Sequence, residues 1–286
     1  MYDTTDSSTN SINSINSTNC LSRSKKEIRL EFVNSALDHV QSLSIQGLSV
    51  SAIIDSLSAS SINRWSSIVS TLPSALACFV RKALQQQLPT FANLQRWNRV
   101  SSNMCPLCHS IQTNKHVLNN CSAPIALERF RARHDAMLKI LCNWLLSVKN
   151  PAAQLFADLG ENKDLPSPSK IFRNFRPDIA LISNSGTIFV WELTICHETN
   201  ICHSREFKKN KYAQLSGDLH PAFSTHSITL ETIEVSSLGF ISDSSCFTLK
   251  AVSQVLPITV ANDLTRRVIS ESFNIYKSRN CISDNV

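Results

Sequence analysis

Apolar residues recur at strand and helix spacings through the second half of the chain. Two β-rich runs, DIALIS at 178–183 and TIFVWELT at 187–194, are separated by Asn184-Ser185-Gly186, a three-residue loop with glycine at its last position. Such a loop favours a tight hairpin. The spacing patterns predict a helix near 124–148, strands near 178–183, 187–195 and 227–236, a helix near 203–219 and a helix near 258–276. This order predicts a mixed sheet flanked by helices.

The register of the predicted hairpin brings two carboxylates together. If Ser183 pairs with Thr187 across the loop, counting back along both strands puts Asp178 opposite Glu192. Directly opposed residues share a face of the sheet, with Cβ atoms about 5 Å apart. Two carboxylates at that distance repel each other unless a cation lies between them. The hairpin therefore predicts a metal site.

The helix predicted after the hairpin carries one lysine on its inward face. Its stripe at spacings of three and four consists of Arg205, Lys208, Tyr212, Leu215 and Leu219. Lys209 lies about 100° away, on the solvent side. A desolvated lysine is costly without an anionic partner. This favours a role for Lys208 beside a phosphate or a metal-bound water, over a basic helix whose lysines extend to water.

A cysteine and histidine cluster stands near the middle of the chain. Cys105-Pro106-Leu107-Cys108 is followed by His116 and Cys121, which gives four ligands and no vacancy. That set is typical of a structural zinc ion in tetrahedral coordination. His109 is a weaker candidate than His116. The alternative is four unrelated residues in a loop.

Composition adds modest limits. The chain has 286 residues, ten scattered cysteines and a net charge of +6, which fits contact with nucleic acid without requiring it. Its start lacks the apolar run of a signal peptide, so a reducing compartment is expected, not secretion. No apolar stretch is long enough to predict a membrane span.

Residues 1–25 are rich in Ser, Asn and Thr and predict a disordered tail. The next segment predicts helices, one with an apolar face ended by Pro89 and formed by Leu72, Leu76, Phe79, Val80 and Ala83.

These motifs follow an order found in a known family. In sequence they are Leu88-Pro89-Thr90, Asn93-Leu94 with Trp97, the Cys-Cys-His-Cys cluster, Arg133-His134-Asp135, Arg176-Pro177-Asp178, Glu192-Leu193-Thr194, and Lys208 to Tyr212. Over roughly residues 65–245 the chain resembles the C-terminal region of site-specific non-LTR (LINE-type) retrotransposon polyproteins, whose reverse transcriptase is joined to a restriction-like endonuclease.

Added to the composition, the resemblance predicts an α+β architecture in four parts, of which the N-terminal tail has no counterpart in the family. These are the tail 1–25, a helical region 26–98 left from an upstream polymerase-associated segment, a CCHC zinc knuckle at 99–122, and a PD-(D/E)XK restriction-endonuclease-like domain at 123–286 with a mixed sheet. It further implies structural Zn²⁺ on the knuckle and catalytic Mg²⁺ held by Asp178 and Glu192. Lys208 would act from its helix, because Thr194 stands where a nearer lysine would be. Nucleic-acid contacts are expected from Arg133, His134, Arg176, Arg205 and Lys211, although His134 by its helical spacing alone is more typical of a core histidine.

The function implied is a metal-dependent DNA endonuclease that nicks target DNA in retrotransposition. Because no paired-aspartate polymerase motif occurs, we expect a fragment without the reverse transcriptase. The expected partner is target DNA, with element RNA left open, and the expected compartment is the nucleus, or the cytoplasm for a decayed fragment. The alternative functions are a catalytically inactive nucleic-acid-binding remnant and, less favoured, a zinc-stabilised binding scaffold. The sequence sets neither the target site nor the oligomeric state.

Overall fold

The computed structural model describes residues 24–159, 165–243 and 256–281. The chain divides into two compact units, Met1–His39 and Val40–Val286. Helix α1 (Lys25–Ser42) begins in the first unit. It starts at a capping box, since Ser24 Oγ accepts a hydrogen bond from Glu27 N and Glu27 Oε2 accepts one from Ser24 N. All but the last two residues of the tail 1–25 lie outside the described residues.

Four further helices open the second unit, as the sequence predicts. They are α2 (Gly47–Ser56), α3 (Ala59–Ser70), α4 (Ser74–Leu84) and α5 (Phe91–Arg96). Helix α4 buries Phe79, Val80 and Ala83, and Leu72 and Leu76 pack against the same cluster, which confirms the predicted apolar face. The helix ends well before Pro89, at a turn where Gln86 has a φ of 55°.

The sheet has four strands in the order β1 (Gln154–Ala157), β2 (Ile179–Ile182), β3 (Thr187–Cys196) and β4 (Ser227–Ser236). Strands β1, β2 and β3 are antiparallel neighbours, whereas β3 and β4 are parallel. A parallel pair needs a crossover connection, and helix α7 (Ile201–Lys211) provides it. The sheet is therefore mixed, and the predicted α+β class is confirmed.

Two long helices flank the sheet close to their predicted bounds, α6 (Pro124–Val148) and α8 (Ile258–Lys277). The prediction for α7 was wrong at its C-terminus, because the helix ends at Lys211 instead of 219. A 3₁₀ turn at Leu215–Asp218 follows. The carboxylate of Asp218 accepts hydrogen bonds from the backbone N–H groups of Asn174 and Phe175, which fixes this segment in a non-helical path.

Apolar clusters cover both faces of the sheet. On one face α6 and α8 pack through residues such as Leu138 and Val268 against Ile179, Trp191 and Leu193. On the other face Tyr212, Leu215 and Leu219 pack against Ala180, Ile188 and Val190. A third cluster joins α2, α3 and α4 to α8 and to Val117 and Leu118 of the zinc-ligand segment. Among the described residues, no helix is both long enough and apolar enough to cross a membrane.

Candidate metal centre and carboxylate site

The four predicted zinc ligands converge. The ligand atoms of Cys105, Cys108, His116 and Cys121 all lie within 4.8 Å of one another. The Sγ atoms of Cys105 and Cys121 are 4.0 Å apart, those of Cys108 and Cys121 are 3.7 Å apart, and Cys108 Sγ lies 3.3 Å from His116 Nε2. A tetrahedral ion with Zn–S bonds of about 2.3 Å separates its sulfurs by about 3.8 Å. The donor set and its spacing therefore fit a structural zinc ion.

The local backbone explains how the first two cysteines are presented. Cys105 N donates to Ser110 O and His109 N donates to Cys105 O, which folds residues 105–110 into a tight knuckle. His109 turns through the left-handed region at a φ of 59° and is exposed, so it lies outside the ligand cluster. This agrees with the ranking of His116 above His109.

The protonation of the ligands also suits a metal. Burial alone would raise the pKa of Cys108, but hydrogen bonds from Ser110 outweigh it and lower that pKa to about 7. Burial lowers the pKa of His116, which keeps its imidazole neutral and able to coordinate. Burial raises the pKa of Cys121 to about 12, so this thiol needs a cation nearby to ionise.

The predicted hairpin register is confirmed. Ile179 pairs with Trp191 in the β2–β3 ladder, so Asp178 and Glu192 are the next opposed positions. The two residues are cross-bonded, because Asp178 N donates to Glu192 Oε2 at 3.1 Å and Leu193 N donates to Asp178 Oδ2 at 2.7 Å. Strand alternation puts both acids on the same sheet face as Ala180 and Val190, the face that α7 covers.

Lys208 reaches this pair from α7, as the helical stripe predicts. Its ammonium contacts Glu192 Oε1, which also accepts a hydrogen bond from Tyr212 Oη at 3.1 Å. The Lys208 side chain is 21% exposed and that of Glu192 only 3%, whereas Lys209 lies on the solvent side. Burial and the charge of Asp178 raise the pKa of Glu192, and Lys208 partly offsets them. Burial and the Glu192 charge raise the pKa of Tyr212, so its hydroxyl remains a neutral donor.

His134 of α6 forms a second cationic contact with the pair. Its Nε2 lies 3.3 Å from both Asp178 Oδ2 and Leu193 O, and its Nδ1 lies 3.4 Å from Asp135 Oδ1. All three partners are acceptors, so both ring nitrogens are best satisfied when they carry protons. Burial alone would lower the pKa of His134, but the hydrogen bonds to Asp135 and Asp178 raise it to about 10. His134 is therefore an imidazolium bound to the carboxylate site, and not a simple core histidine.

Arg133 corrects a sequence-based expectation. We expected it on a surface that could hold phosphates, but it is 2% exposed. Its Nη1 donates to Ser272 Oγ at 2.9 Å and its Nη2 to Asn119 Oδ1 at 3.1 Å. A buried guanidinium cannot contact a phosphate backbone, so a nucleic-acid role for Arg133 was wrong. Successive residues of a helix point about 100° apart, and this separates Arg133 in the core from His134 at the carboxylates.

Three other cations expected to contact nucleic acid, Arg176, Lys211 and Arg205, differ in solvent exposure and in their ion pairs. The Arg176 side chain is 61% exposed and pairs with Asp158 at 2.5 Å. Lys211 is exposed, with its Nζ 4.5 Å from the centre of the Tyr212 ring. Arg205 instead forms an ion pair at 3.1 Å with Glu234, whose side chain is fully buried. Arg205 therefore links α7 to β4, and Arg176 and Lys211 are the more accessible cations.

Sequence reasoning missed one partner of His134 and one partner of Arg133. Asp135 was noted only as part of a motif, yet it contacts His134 from the adjacent position. Asn119 was not considered, although it connects Arg133 to Ser237, whose hydroxyl accepts from Asn119 Nδ2 at 3.2 Å. The adjacency of Arg133, His134 and Asp135 was the one signal in the sequence, and it does not show which direction each side chain takes.

Part of the chain matches a known protein family. Residues 49–127 match the family described as zinc-binding in reverse transcriptase. No curated protein matches the chain. The matched segment contains all four ligands of the Cys/His cluster. The chain thus carries a retrotransposon-related zinc-binding domain of the kind associated with reverse transcriptases.

Proposed function

We propose that this protein is a metal-dependent DNA endonuclease of the PD-(D/E)XK type, joined to the zinc-binding domain and acting as part of a retrotransposon. The observation that carries the proposal is the convergence of Asp178, Glu192 and Lys208 at one end of the β2–β3 pair. Two opposed carboxylates beside a lysine are the groups that phosphodiester hydrolysis requires: metal ligands and a cation for the developing phosphate charge.

The carboxylates fit a Mg²⁺ ion. Within the described ranges, no hydrogen bond reaches Asp178 Oδ1, which leaves one oxygen free to coordinate. Burial and the nearby charge of Asp178 raise the pKa of Glu192, so a bound cation would stabilise the ionised form of this carboxyl. Mg²⁺ prefers carboxylate oxygens and retains several waters. When bound, it would polarise the scissile phosphate and lower the pKa of an attacking water.

The residues of the chain supply position and charge. Asp178 and Glu192 are held in place by each other's strand, through the N–H groups of Leu193 and Asp178. Lys208 brings an ammonium to the same point, where it would orient the attacking water or offset charge on the phosphate. His134 places its ring nitrogen 3.3 Å from Asp178 Oδ2 and so positions this carboxylate. Arg176 and Lys211 are the accessible cations for neighbouring phosphates of the DNA.

The proposal is tested by nicking of supercoiled plasmid with zinc-loaded full chain and Mg²⁺. Lys208→Met is expected to lower the nicking rate about 10²–10³-fold, as loss of a group that stabilises transition-state charge does. The matched control is Lys209→Met, one residue along α7 and on the solvent side, which is expected to keep nearly the full rate. Asp178→Asn should abolish Mg²⁺-dependent nicking. Equal rates for the two lysine variants would contradict the proposal.

One observation favours a second candidate, a nucleic-acid-binding protein with an inactive nuclease fold. Both oxygens of Glu192 already have partners in the chain, Oε2 with Asp178 N and Oε1 with Lys208 and Tyr212. A metal must therefore compete with an ion pair that is largely buried. Salt-sensitive DNA binding without any Mg²⁺-dependent nicking would select this candidate.

A further inference from the structure

A cavity of about 470 Å³ lies beside the zinc-ligand segment, and its lining includes neither a zinc ligand nor a residue of the carboxylate site. Its walls come from Ile45 and Leu48 around the start of α2, from Gln86 in the turn after α4, and from α5. Residues 113–115, just before the zinc ligand His116, and His197 and Thr199 after β3 complete the lining. The volume lies within the range of pockets that bind small organic molecules, about 300–1,000 Å³. His197 is five residues beyond Glu192, so this wall is about 16 Å from the carboxylates along the strand.

The charged groups of the cavity have one sign. Arg96 and Lys115 line it, and none of the described lining residues is a carboxylate. Arg96 Nη1 donates to Asn93 Oδ1 at 2.9 Å and Lys115 Nζ donates to Asn200 Oδ1 at 3.0 Å. Both partners are neutral amides, so they orient the two cations without neutralising them. This arrangement favours an anionic ligand.

Asn114, which lines the cavity, has a buried acceptor that no described residue uses. Asn114 is 3% exposed, and its Nδ2 donates to Ala83 O, which fixes the orientation of the amide. Its Oδ1 has no hydrogen-bond partner in the part of the chain that the structure describes. A buried acceptor without a partner is costly, so a ligand that brings an N–H group would satisfy it. The surrounding Ile45, Leu48 and Ala92 form an apolar surface suited to a flat ring.

We propose that this cavity binds one unpaired nucleotide of a single-stranded RNA or DNA. The base would lie against the apolar surface and donate an N–H to Asn114 Oδ1, while its phosphates contact Arg96 and Lys115. A base inside a duplex already uses its Watson–Crick edge, so the cavity selects single strands or unpaired ends. This function is separate from the proposed cleavage and does not depend on it.

The test measures fluorescence anisotropy of labelled 12-nucleotide single strands, one RNA and one DNA, and of a fully paired duplex. It uses the zinc-loaded full chain carrying Asp178→Asn, without Mg²⁺, so that cleavage plays no part. The double variant Arg96→Gln/Lys115→Gln is expected to weaken single-strand binding about tenfold, and duplex binding much less. The charge-matched control is Arg81→Gln/Lys82→Gln, on exposed positions of α4 outside the cavity. It should change affinity less than twofold or so.

A second variant distinguishes the contribution of base contacts from that of phosphate contacts. Ala92→Phe fills the apolar part of the cavity and keeps both cations, and it should also weaken single-strand binding about tenfold. Uridine and guanosine 5′-monophosphates should compete with the labelled strand, whereas inorganic phosphate at the same concentration should not. The RNA and DNA arms show which strand is preferred.

Three results would overturn the inference: equal effects of the cavity and control double variants, competition by phosphate equal to that of the nucleotides, or full binding by a folded Ala92→Phe protein. If the predicted single-strand binding is not observed, the plasmid-nicking assay still tests the nuclease proposal independently. If nicking fails and binding persists, the nuclease proposal falls and the cavity assignment stands.

Discussion

Replacing His134 with glutamine is expected to remove a pH-dependent part of the stability of the protein. In the folded chain the pKa of His134 is about 10, whereas the ordinary value is 6.5. The folded state therefore binds this proton more tightly than the unfolded state. The stabilisation is fully present below about pH 6.5 and is lost as the pH rises towards about 10. Glutamine can still donate to Asp178 or Leu193 O, but it carries no proton to release.

The size of the effect follows from the contacts. A pKa difference of this size corresponds to at most about 5 kcal/mol. The contacts of His134 are 3.3–3.4 Å long and a quarter of its side chain is exposed, so solvent screens part of the interaction. We expect the unfolding free energy of wild type to exceed that of His134→Gln by about 2 kcal/mol at pH 6, with most of this difference lost by about pH 9.5.

The assay is urea denaturation of zinc-loaded wild type and variant between pH 6 and 9.5. Taking the difference in unfolding free energy removes the titration of groups that both proteins share. His203→Gln is the control, because His203 is exposed on α7. This surface substitution should change the unfolding free energy by less than about 0.5 kcal/mol. A difference for His134→Gln that stays constant from pH 6 to 9.5 would refute the imidazolium assignment.

Two further predictions concern the core. Removal of zinc by a chelator, or the substitution Cys121→Ser, should lower the free energy of unfolding by about 3 kcal/mol or more, because the ligand segment also buries Val117 and Leu118. Thermal melting combined with a zinc-release assay measures this loss. An unchanged Tm after zinc loss would contradict the prediction. Arg133→Met should destabilise the chain by about 2–4 kcal/mol, since Ser272 and Asn119 lose a buried donor. Urea denaturation measures the stability of Arg133→Met, and fluorescence anisotropy measures its affinity for DNA. The prediction for Arg133 fails if DNA affinity drops while stability is unchanged.

Much of the carboxylate site could be predicted because its parts are close in sequence. A three-residue loop fixes the pairing of Asp178 and Glu192 once its ends are paired, and strand alternation then fixes the shared face. Lys208 followed from the helical period alone. The zinc cluster followed from ligand spacing, since cysteines three apart can reach one ion.

The failures concern contacts between distant segments. The end of α7 depends on Asp218, whose carboxylate binds backbone N–H groups more than forty residues earlier. Arg133 is buried because it meets Ser272, which is 139 residues away in sequence, and Asn119, which is 14 residues away. A helical pattern shows that three successive residues face different directions, but it does not show what each one meets.

The sequence by itself determined the zinc ligands, the strand register and the lysine that faces the two acids, because short loops and regular periods leave few alternatives. Only the tertiary structure decided that His134 is an imidazolium against Asp178, that Arg133 is a core residue, and that a cationic cavity forms beside the zinc segment. Each of these depends on packing between helices, strands and loops that are far apart along the chain. Local periodicity carries no information about such packing.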